Sequence, residues 1–534
     1  MKASPCRPSG RRRRERLRQR LHVWALAGLA LVGLCLSAPL SSSLAAAAFD
    51  PVSALKSRFV SVLGSGALGR ADWSVLAVSL DTGDTLFARN AEQALAPASN
   101  LKVLTVAAAL HHLGPDFTWR TLLLSDAPVQ NGVLQGDLVL YGTGDPGLAD
   151  RLLDSDDAAF DDLALQLRQA GVTRIEGRVV GDGSFFSGPS RHPSWDPRDL
   201  NDWFTAASPA LGYAENVVQF RIEPGVTGDV PIVHMTPGHG GVPIQNEART
   251  SAGRARAPLW LVRENPDEPV QVVGELQARS RDVYRSMTVQ DPVLWSASAM
   301  AAALGRAGIE VRGGAATASE ASTSLVSGRQ VFGAASPRVL ASFQSPPLIE
   351  ALKVVNQRSH NFYADMVLKT LGRVVAGDGS FEGGARVVEA FAIEQVGVAP
   401  DEVAIVDGSG LSADNRASAR TLVETLAWTL RGPWAAEFET TLPIAGSREL
   451  NRRMWRTAAA GNLKAKTGTI AGVSALSGVV TTRDGERVAF SVVGNGLRST
   501  WFAKRNVEDA LGVALAEIRG RLPGDRISAL AEDR

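Results

Sequence analysis

The sequence predicts an α+β protein of more than one domain, and three observations carry that expectation. Helical runs cluster toward the two ends of the chain, around 101–110 and 347–396. Strand-like runs separated by Gly, Pro and Asp turns fill the middle, from about Gly136 to Ala335. At 534 residues the chain exceeds what one hydrophobic core usually supports, so two or three domains are expected. With 45% hydrophobic and 21% charged residues the composition is that of a folded protein, which excludes disorder on a large scale.

The first 48 residues stand apart. Lys2 and eight arginines between Arg7 and Arg20 face one acid, Glu15. An apolar run, Val23 to Leu36, follows, then a stretch of small residues ending in Ala45–Ala48. A basic segment, a short apolar segment and small residues make a secretory signal, with cleavage expected after Ala48. The apolar run is short for a membrane span. The C-terminal stretch Ile518–Arg534 is too polar for an anchor, so no stable membrane anchor is expected after cleavage. Cys6 and Cys35 both lie in the signal, and Leu34 stands where a lipoprotein signal needs a small residue. No disulfide and no cysteine metal site is then expected in the mature chain. The signal holds nine positive charges against one negative in a chain of net +1, which leaves −7 on residues 49–534. An acidic body excludes general nucleic-acid binding, which needs many cations against phosphate.

The mature chain opens with a short helix near Val52–Leu63. Trp73–Leu80 and Thr85–Arg89, joined through Asp81-Thr82-Gly83-Asp84, form a hairpin. Leu101–Leu110 is too apolar for a surface helix and is expected to be buried centrally. Strands are expected at Leu138–Tyr141, Arg174–Val180, Val217–Ile222 and Val270–Val273, with helices near Phe160–Ala170 and Leu294–Ala307. Pro224 to Pro258, rich in Gly and Pro, looks like a separate small β-rich unit. Helical periodicity returns at Pro347–Leu371 and Arg386–Val396. The chain closes with strands Ser474–Thr481 and Arg487–Gly494 and a helix from about Thr500.

Three short motifs occur in order. In Ser99-Asn100-Leu101-Lys102 the i, i+3 spacing puts the lysine amine beside the serine hydroxyl. A serine hydroxyl becomes a good nucleophile when a neighbouring base takes its proton, and lysine is such a base once its pKa falls. Burial in the apolar helix and the cation of Lys466 are expected to lower it. Ser-x-x-Lys alone is weak, since about one should appear by chance. A second copy, Ser53-Ala54-Leu55-Lys56, has no long apolar helix after it and is read as surface. In Ser359-His360-Asn361 a tight turn lets hydroxyl and amide face one way; the bland alternative is a helix N-cap. Lys466-Thr467-Gly468-Thr469 precedes a strand. Strand alternation puts Lys466 and Gly468 on one face and Thr467 and Thr469 on the other, and Gly468 would let a substrate approach the backbone.

Together the three motifs match the Ser-x-x-Lys, Ser-x-Asn and Lys-Thr-Gly set of β-lactamases and penicillin-binding proteins. With Leu113–Phe117, Tyr141–Pro146, Asp407-Gly408-Ser409-Gly410-Leu411-Ser412, Asn415 and Leu442–Gly446, the chain resembles the D-Ala-D-Ala carboxypeptidase/endopeptidase family, the class C low-molecular-mass penicillin-binding proteins. The resemblance implies a penicillin-binding/β-lactamase-like catalytic domain, an antiparallel sheet flanked by helices, at 49–135 and 336–534. It implies a large β-rich inserted domain at 136–215 and 286–335 and a smaller one nested at 216–285. The 260 positions between Ser99 and Ser359 accommodate such an insertion.

The resemblance also implies a reaction. Lys102 deprotonates Ser99, which attacks the penultimate D-Ala carbonyl, with the backbone N–H groups of Ser99 and Thr469 as oxyanion hole. Ser359 relays a proton to the leaving amine, Asn361 orients the acyl-side amide, and Lys466, Thr467, Gly468 and Thr469 bind the terminal carboxylate. Expected partners are peptidoglycan peptides, with β-lactams as covalent inhibitors of an exported enzyme in the periplasm or cell envelope. No cofactor or metal is expected, and the His111-His112 pair is read as helix surface. Asp407, Ser409 and Ser412 are expected to shape the site. Two departures stand out: His360 where relatives usually carry Asp, and Ala413 where some carry a basic residue. A serine β-lactamase and a non-catalytic peptidoglycan-binding scaffold are the alternatives.

Overall fold

A computed structural model describes residues 51–238, 242–264, 268–318 and 337–519. The expected signal segment lies outside these residues.

The sheet that organises the active half is antiparallel and five-stranded, in the order Thr85–Arg89, Asp72–Ser79, Arg487–Asn495, Val473–Thr481, Lys464–Ile470. The N-terminal hairpin thus pairs with the last two strands of the chain, and Lys464–Ile470 is the edge. Both faces of the sheet are buried. Leu76, Ala475, Val479, Ala489 and Val493 point into one core, while Trp73, Val75, Leu476, Phe490 and Val492 point into the other. The period-2 alternation of a strand delivers neighbouring residues to opposite cores. The Pro51–Gly64 helix packs into the second core through Val52, Leu55, Phe59 and Leu63. Its Ser53 and Lys56 are exposed, as the surface reading of that motif requires.

The first core is built around the helix Lys102–Leu113, in which Lys102 to Leu110 are all buried. Against it lie Leu348–Gln357, Asn361–Ala376, Phe381–Ala390 and Ala419–Arg431. His111 and His112 are exposed at its end.

Much of the middle of the chain builds a further core, with residues from Leu123 to Ala341, while Phe186, Trp195, Ala206 and Ala210 pack into the first core. The middle region's main sheet is mixed and five-stranded: Ala315–Thr317, Val179–Asp182, Leu138–Gly142, Arg120–Ser125, Arg338–Gln344. The expected single strand Arg174–Val180 is two, Arg174–Ile175 and Val179–Asp182, in different sheets. Arg120–Ser125 and Arg338–Gln344 were expected with the catalytic half, inside the 135 and 336 boundaries. They pair instead with the middle region's strands, so the chain crosses between the two halves near Trp119 and Ser345, where Ser345 N donates to Trp119 O over 3.1 Å. Residues 217–288 form two three-stranded sheets and a two-stranded one.

Truncating the central helix tests this packing. Leu104 is fully buried among the first core's side chains. Leu104→Ala should lower the unfolding free energy by about 2–5 kcal/mol, read as a reduced urea midpoint at unchanged slope.

Candidate active site

The turn that carries Ser99 begins with Pro97 and Ala98, whose φ of +48° is costly for a residue with a Cβ. That kink starts a single 3₁₀ turn, Ala98–Leu101, which passes into the helix at Lys102. Ser99 is half-buried at the mouth and Lys102 fully buried one turn on. The Lys102 Nζ lies 3.0 Å from Ser99 Oγ and 2.7 Å from Asn361 Oδ1, and it also donates to Ser409 O. One ammonium thus gathers three segments of chain.

The Ser359–Asn361 turn separates two helices that share one apolar periodicity, Leu348–Gln357 and Asn361–Ala376. Ser359 is in the left-handed region at φ +55°, and it is His360, whose side chain makes no capping bond to the helix, that sits at the cap position. The N-cap alternative for Ser359 therefore fails. Its hydroxyl instead accepts from Lys466 Nζ at 2.7 Å, which also donates to Thr467 O at 2.7 Å. Asn361 was expected to hold a substrate amide, yet both ends of its own amide are engaged: Oδ1 by Lys102, and Nδ2 by Phe204 O at 2.9 Å.

Lys466 and Gly468 are buried on the edge strand, with Thr467 half-buried and Thr469 exposed, as alternation requires. Gly468 does more than admit a substrate. A Cβ there would stand 2.7 Å from Pro97 O and 3.1 Å from Ser99 N, so only glycine lets the edge strand close on the nucleophile turn.

Asp407–Ser412 acts by the same means. Gly410 has φ +74°, and a Cβ on it would lie 1.9 Å from Ala98 O. The loop therefore wedges against the turn that carries Ser99. Asp407 holds it there, its carboxylate accepting from Gly410 N, Ser412 N, Asn415 Nδ2 and, from the middle region, Trp195 Nε1 at 3.0 Å. Thr105 Oγ1 donates to Gly408 O from the central helix. Asp407 and Ser412 thus shape the site, and Ser409 serves it through its backbone oxygen.

Electrostatics fix the proton inventory. Burial pulls the Lys102 pKa down to about 8, against the charges of Asp365 and Asp407, which raise it. Lys466 was expected to be the cation that lowers Lys102. Burial is instead what lowers Lys102, and Lys466 is itself depressed, through burial first and the charge of Lys102 second. The sequence reading missed Asp365, one turn after Asn361, which is fully buried and accepts from Gly408 N at 2.9 Å. Its i, i+4 spacing from Asn361 was the available signal. The contacts from Trp195 and Phe204 had none. Among the described residues no group of three or more His, Cys, Asp or Glu is placed to hold a metal.

Residues 55–518 match the D-Ala-D-Ala carboxypeptidase 3 (S13) family. A D-alanyl-D-alanine carboxypeptidase of Actinomadura sp. (strain R39) is 32% identical over 493 residues, covering 90% of this chain and 88% of its own. The D-alanyl-D-alanine carboxypeptidase DacB of Haemophilus influenzae is 27% identical over 404 residues, covering 75% and 80%. The crystal structure of penicillin binding protein 4 (dacB) from Haemophilus influenzae shares the fold, with a TM-score of 0.72 at 24% identity, covering 88% of this chain and 99% of that one.

The depressed lysine makes a pH prediction. With the neutral amine as the expected base, covalent labelling of Ser99 by an activated-serine electrophile should speed up about tenfold per pH unit below the Lys102 pKa and level off above it. With that pKa at about 8, the midpoint belongs near pH 8. A labelling rate flat across that range would remove Lys102 from the role of base.

Proposed function

We propose the chemistry of this site on one premise: the chain belongs to the D-Ala-D-Ala carboxypeptidase 3 (S13) family. It is a serine-type hydrolase of D-alanyl-D-alanine peptides. The observation that carries the residue assignments is the 3.0 Å contact between the buried Lys102 amine and Ser99 Oγ.

Lys102 takes the Ser99 proton as Oγ attacks the carbonyl of the penultimate D-Ala. Charge develops on the carbonyl oxygen between the backbone N–H groups of Ser99 and Thr469, which the close approach of Gly468 to Ser99 N brings toward each other. The leaving amine receives a proton through Ser359, whose hydroxyl is joined to Lys466. An incoming terminal carboxylate meets Lys466, Thr467 and Thr469 and favours the charged form of that lysine. Asn361 steadies Lys102, and turning its amide toward the acyl-side peptide requires release from Phe204 O. Water then hydrolyses the acyl-enzyme. Its partners are the stem peptides of peptidoglycan, released either as free D-Ala or by cutting cross-links.

β-Lactams fit the same steps, because their strained amide stands in for the D-Ala-D-Ala bond. The Haemophilus influenzae penicillin binding protein 4 has been crystallised with a novel β-lactam. A non-catalytic scaffold gives no reason to desolvate a lysine amine against a serine hydroxyl, as Lys102 is against Ser99. The protein acts outside the cytoplasm, exported by its first 48 residues. Among the described residues no helix is long and apolar enough to cross a membrane.

A fluorescent penicillin should label the protein covalently. The label should vanish in Ser99→Ala, persist in Ser53→Ala, and vanish in Lys102→Arg, since a guanidinium stays protonated. Survival of the label in Ser99→Ala would refute the nucleophile. Mass measurement of peptidoglycan digested by the purified enzyme should show loss of D-Ala, cleavage of cross-links, or both, each abolished by Ser99→Ala.

A further inference from the structure

His360 is the residue of the Ser-x-Asn turn that the mechanism leaves unused. It is 3% exposed, and its Nε2 lies 3.1 Å from Glu215 Oε2. Its ring meets Trp203 edge-on at 5.6 Å and Tyr363 at 5.0 Å. Glu215 comes from the middle region, 145 positions earlier in the chain. It projects from a turn in which Ala214, Glu215 and Asn216 all have positive φ, between +47° and +57°. Three successive non-glycine residues in the left-handed region are strained and persist only where the surroundings enforce them. Here Asn216 enforces them, accepting from Tyr213 N at 3.1 Å and donating to Ala207 O at 2.9 Å. Arg151 also holds the Glu215 carboxylate, donating through Nη2 at 3.0 Å to the oxygen that faces His360 and through Nε to the other. Burial alone would raise the Glu215 pKa, but His360 and Arg151 together bring it down to about 2. The same stretch of chain supplies Phe204 O to Asn361.

The turn between Ser359 and Asn361 is therefore gripped by the middle region at its second and third residues. A shift of His360 carries its neighbours with it, taking Ser359 off Lys466 and Asn361 off Lys102. We propose that Glu215 and His360 are positioning residues for the reaction, their side-chain contact being how the middle region fixes the catalytic Ser359–Asn361 turn. The inference rests on the acyl-enzyme chemistry proposed above. It adds that the insertion is part of the catalytic apparatus.

The test uses the full protein and two readouts: the second-order rate of acylation by a fluorescent penicillin, and kcat and KM on a D-Ala-D-Ala peptide. Glu215→Ala and His360→Leu should each lower the acylation rate and kcat by about tenfold or more, while KM changes less than about threefold, the signature of an interaction that positions reacting groups. The double variant should be no slower than the slower single, because the two residues act as one unit. His360→Gln, which keeps a side-chain N–H for Glu215, should restore most of the rate. A merely structural pair would lower the melting temperature and leave the acylation rate of folded molecules unchanged. Singles within about twofold of wild type, losses that multiply in the double variant, or His360→Gln as slow as His360→Leu would each overturn the proposal. If His360→Leu does not fold, Glu215→Ala and Arg151→Gln decide by the same rates, Arg151→Gln being expected to lose about threefold through a loosened Glu215. A wild-type protein that penicillin does not acylate would sink the underlying chemistry; an acylated wild type with unaffected variants would sink this inference alone.

Discussion

Everything in the catalytic half serves the burial of one ammonium group against one hydroxyl. Lysine in water holds its proton far too tightly to act as a base near neutrality, and desolvation is what loosens it. The central helix supplies that desolvation, with its side chains from Lys102 to Leu110 closed off from solvent. A buried amine left without partners would be very costly, so three acceptors meet it: Ser99 Oγ, Asn361 Oδ1 and Ser409 O. Each comes from a different part of the chain. The need to satisfy Lys102 is thus also what assembles the site. Asp365 and Asp407 stop the depression from going too far, and the balance leaves the amine at about 8.

That assembly depends on how closely backbones can approach. The Asp407–Ser412 loop reaches the nucleophile turn because Gly410 has no Cβ to strike Ala98 O, and the edge strand reaches it because Gly468 has none to strike Pro97 O. The loop and the strand thus bear on the same few residues, around Ala98. The kink there, costly by itself, is held in place from both sides. The motif glycines and the strained alanine are one device seen from three segments.

What the sequence made legible was local. The i, i+3 spacing of Ser99 and Lys102, the apolar run behind them, the N-terminal hairpin and the last two strands all follow from periodicity, and each is present in the structure. Strand alternation gave the exposure order of Lys466, Thr467, Gly468 and Thr469. The illegible part was what distant segments do to one another. No pattern in Arg174–Val180 shows that it divides between two sheets, since both halves are equally strand-like. No local signal joins Glu215 to His360 or Phe204 O to Asn361, because those contacts join residues 145 and 157 positions apart in the chain. The direction of the lysine coupling was hidden for a related reason. Both amines are depressed by burial, and the carboxylates that oppose this at Lys102, Asp365 and Asp407, come from segments remote from it in sequence.

The middle region then has a physical reason to stay attached to this site. Trp195 bonds Asp407, Phe204 bonds Asn361, Glu215 bonds His360, and Lys369 on the Asn361–Ala376 helix donates back to Pro189 O and Ser208 O at 3.2 and 3.1 Å. Apart from the Lys369 bonds, these contacts fall on two segments, the loop around Asp407 and the turn around His360, and the turn is also reached from the edge strand through Lys466. The edge strand is fixed by its ladder and the nucleophile by its helix. The loop around Asp407 and the turn around His360 take a good share of their side-chain bonds from the middle of the chain. Polar contacts from the middle region thus bear directly on the loop and the turn that meet around Lys102 and Ser359.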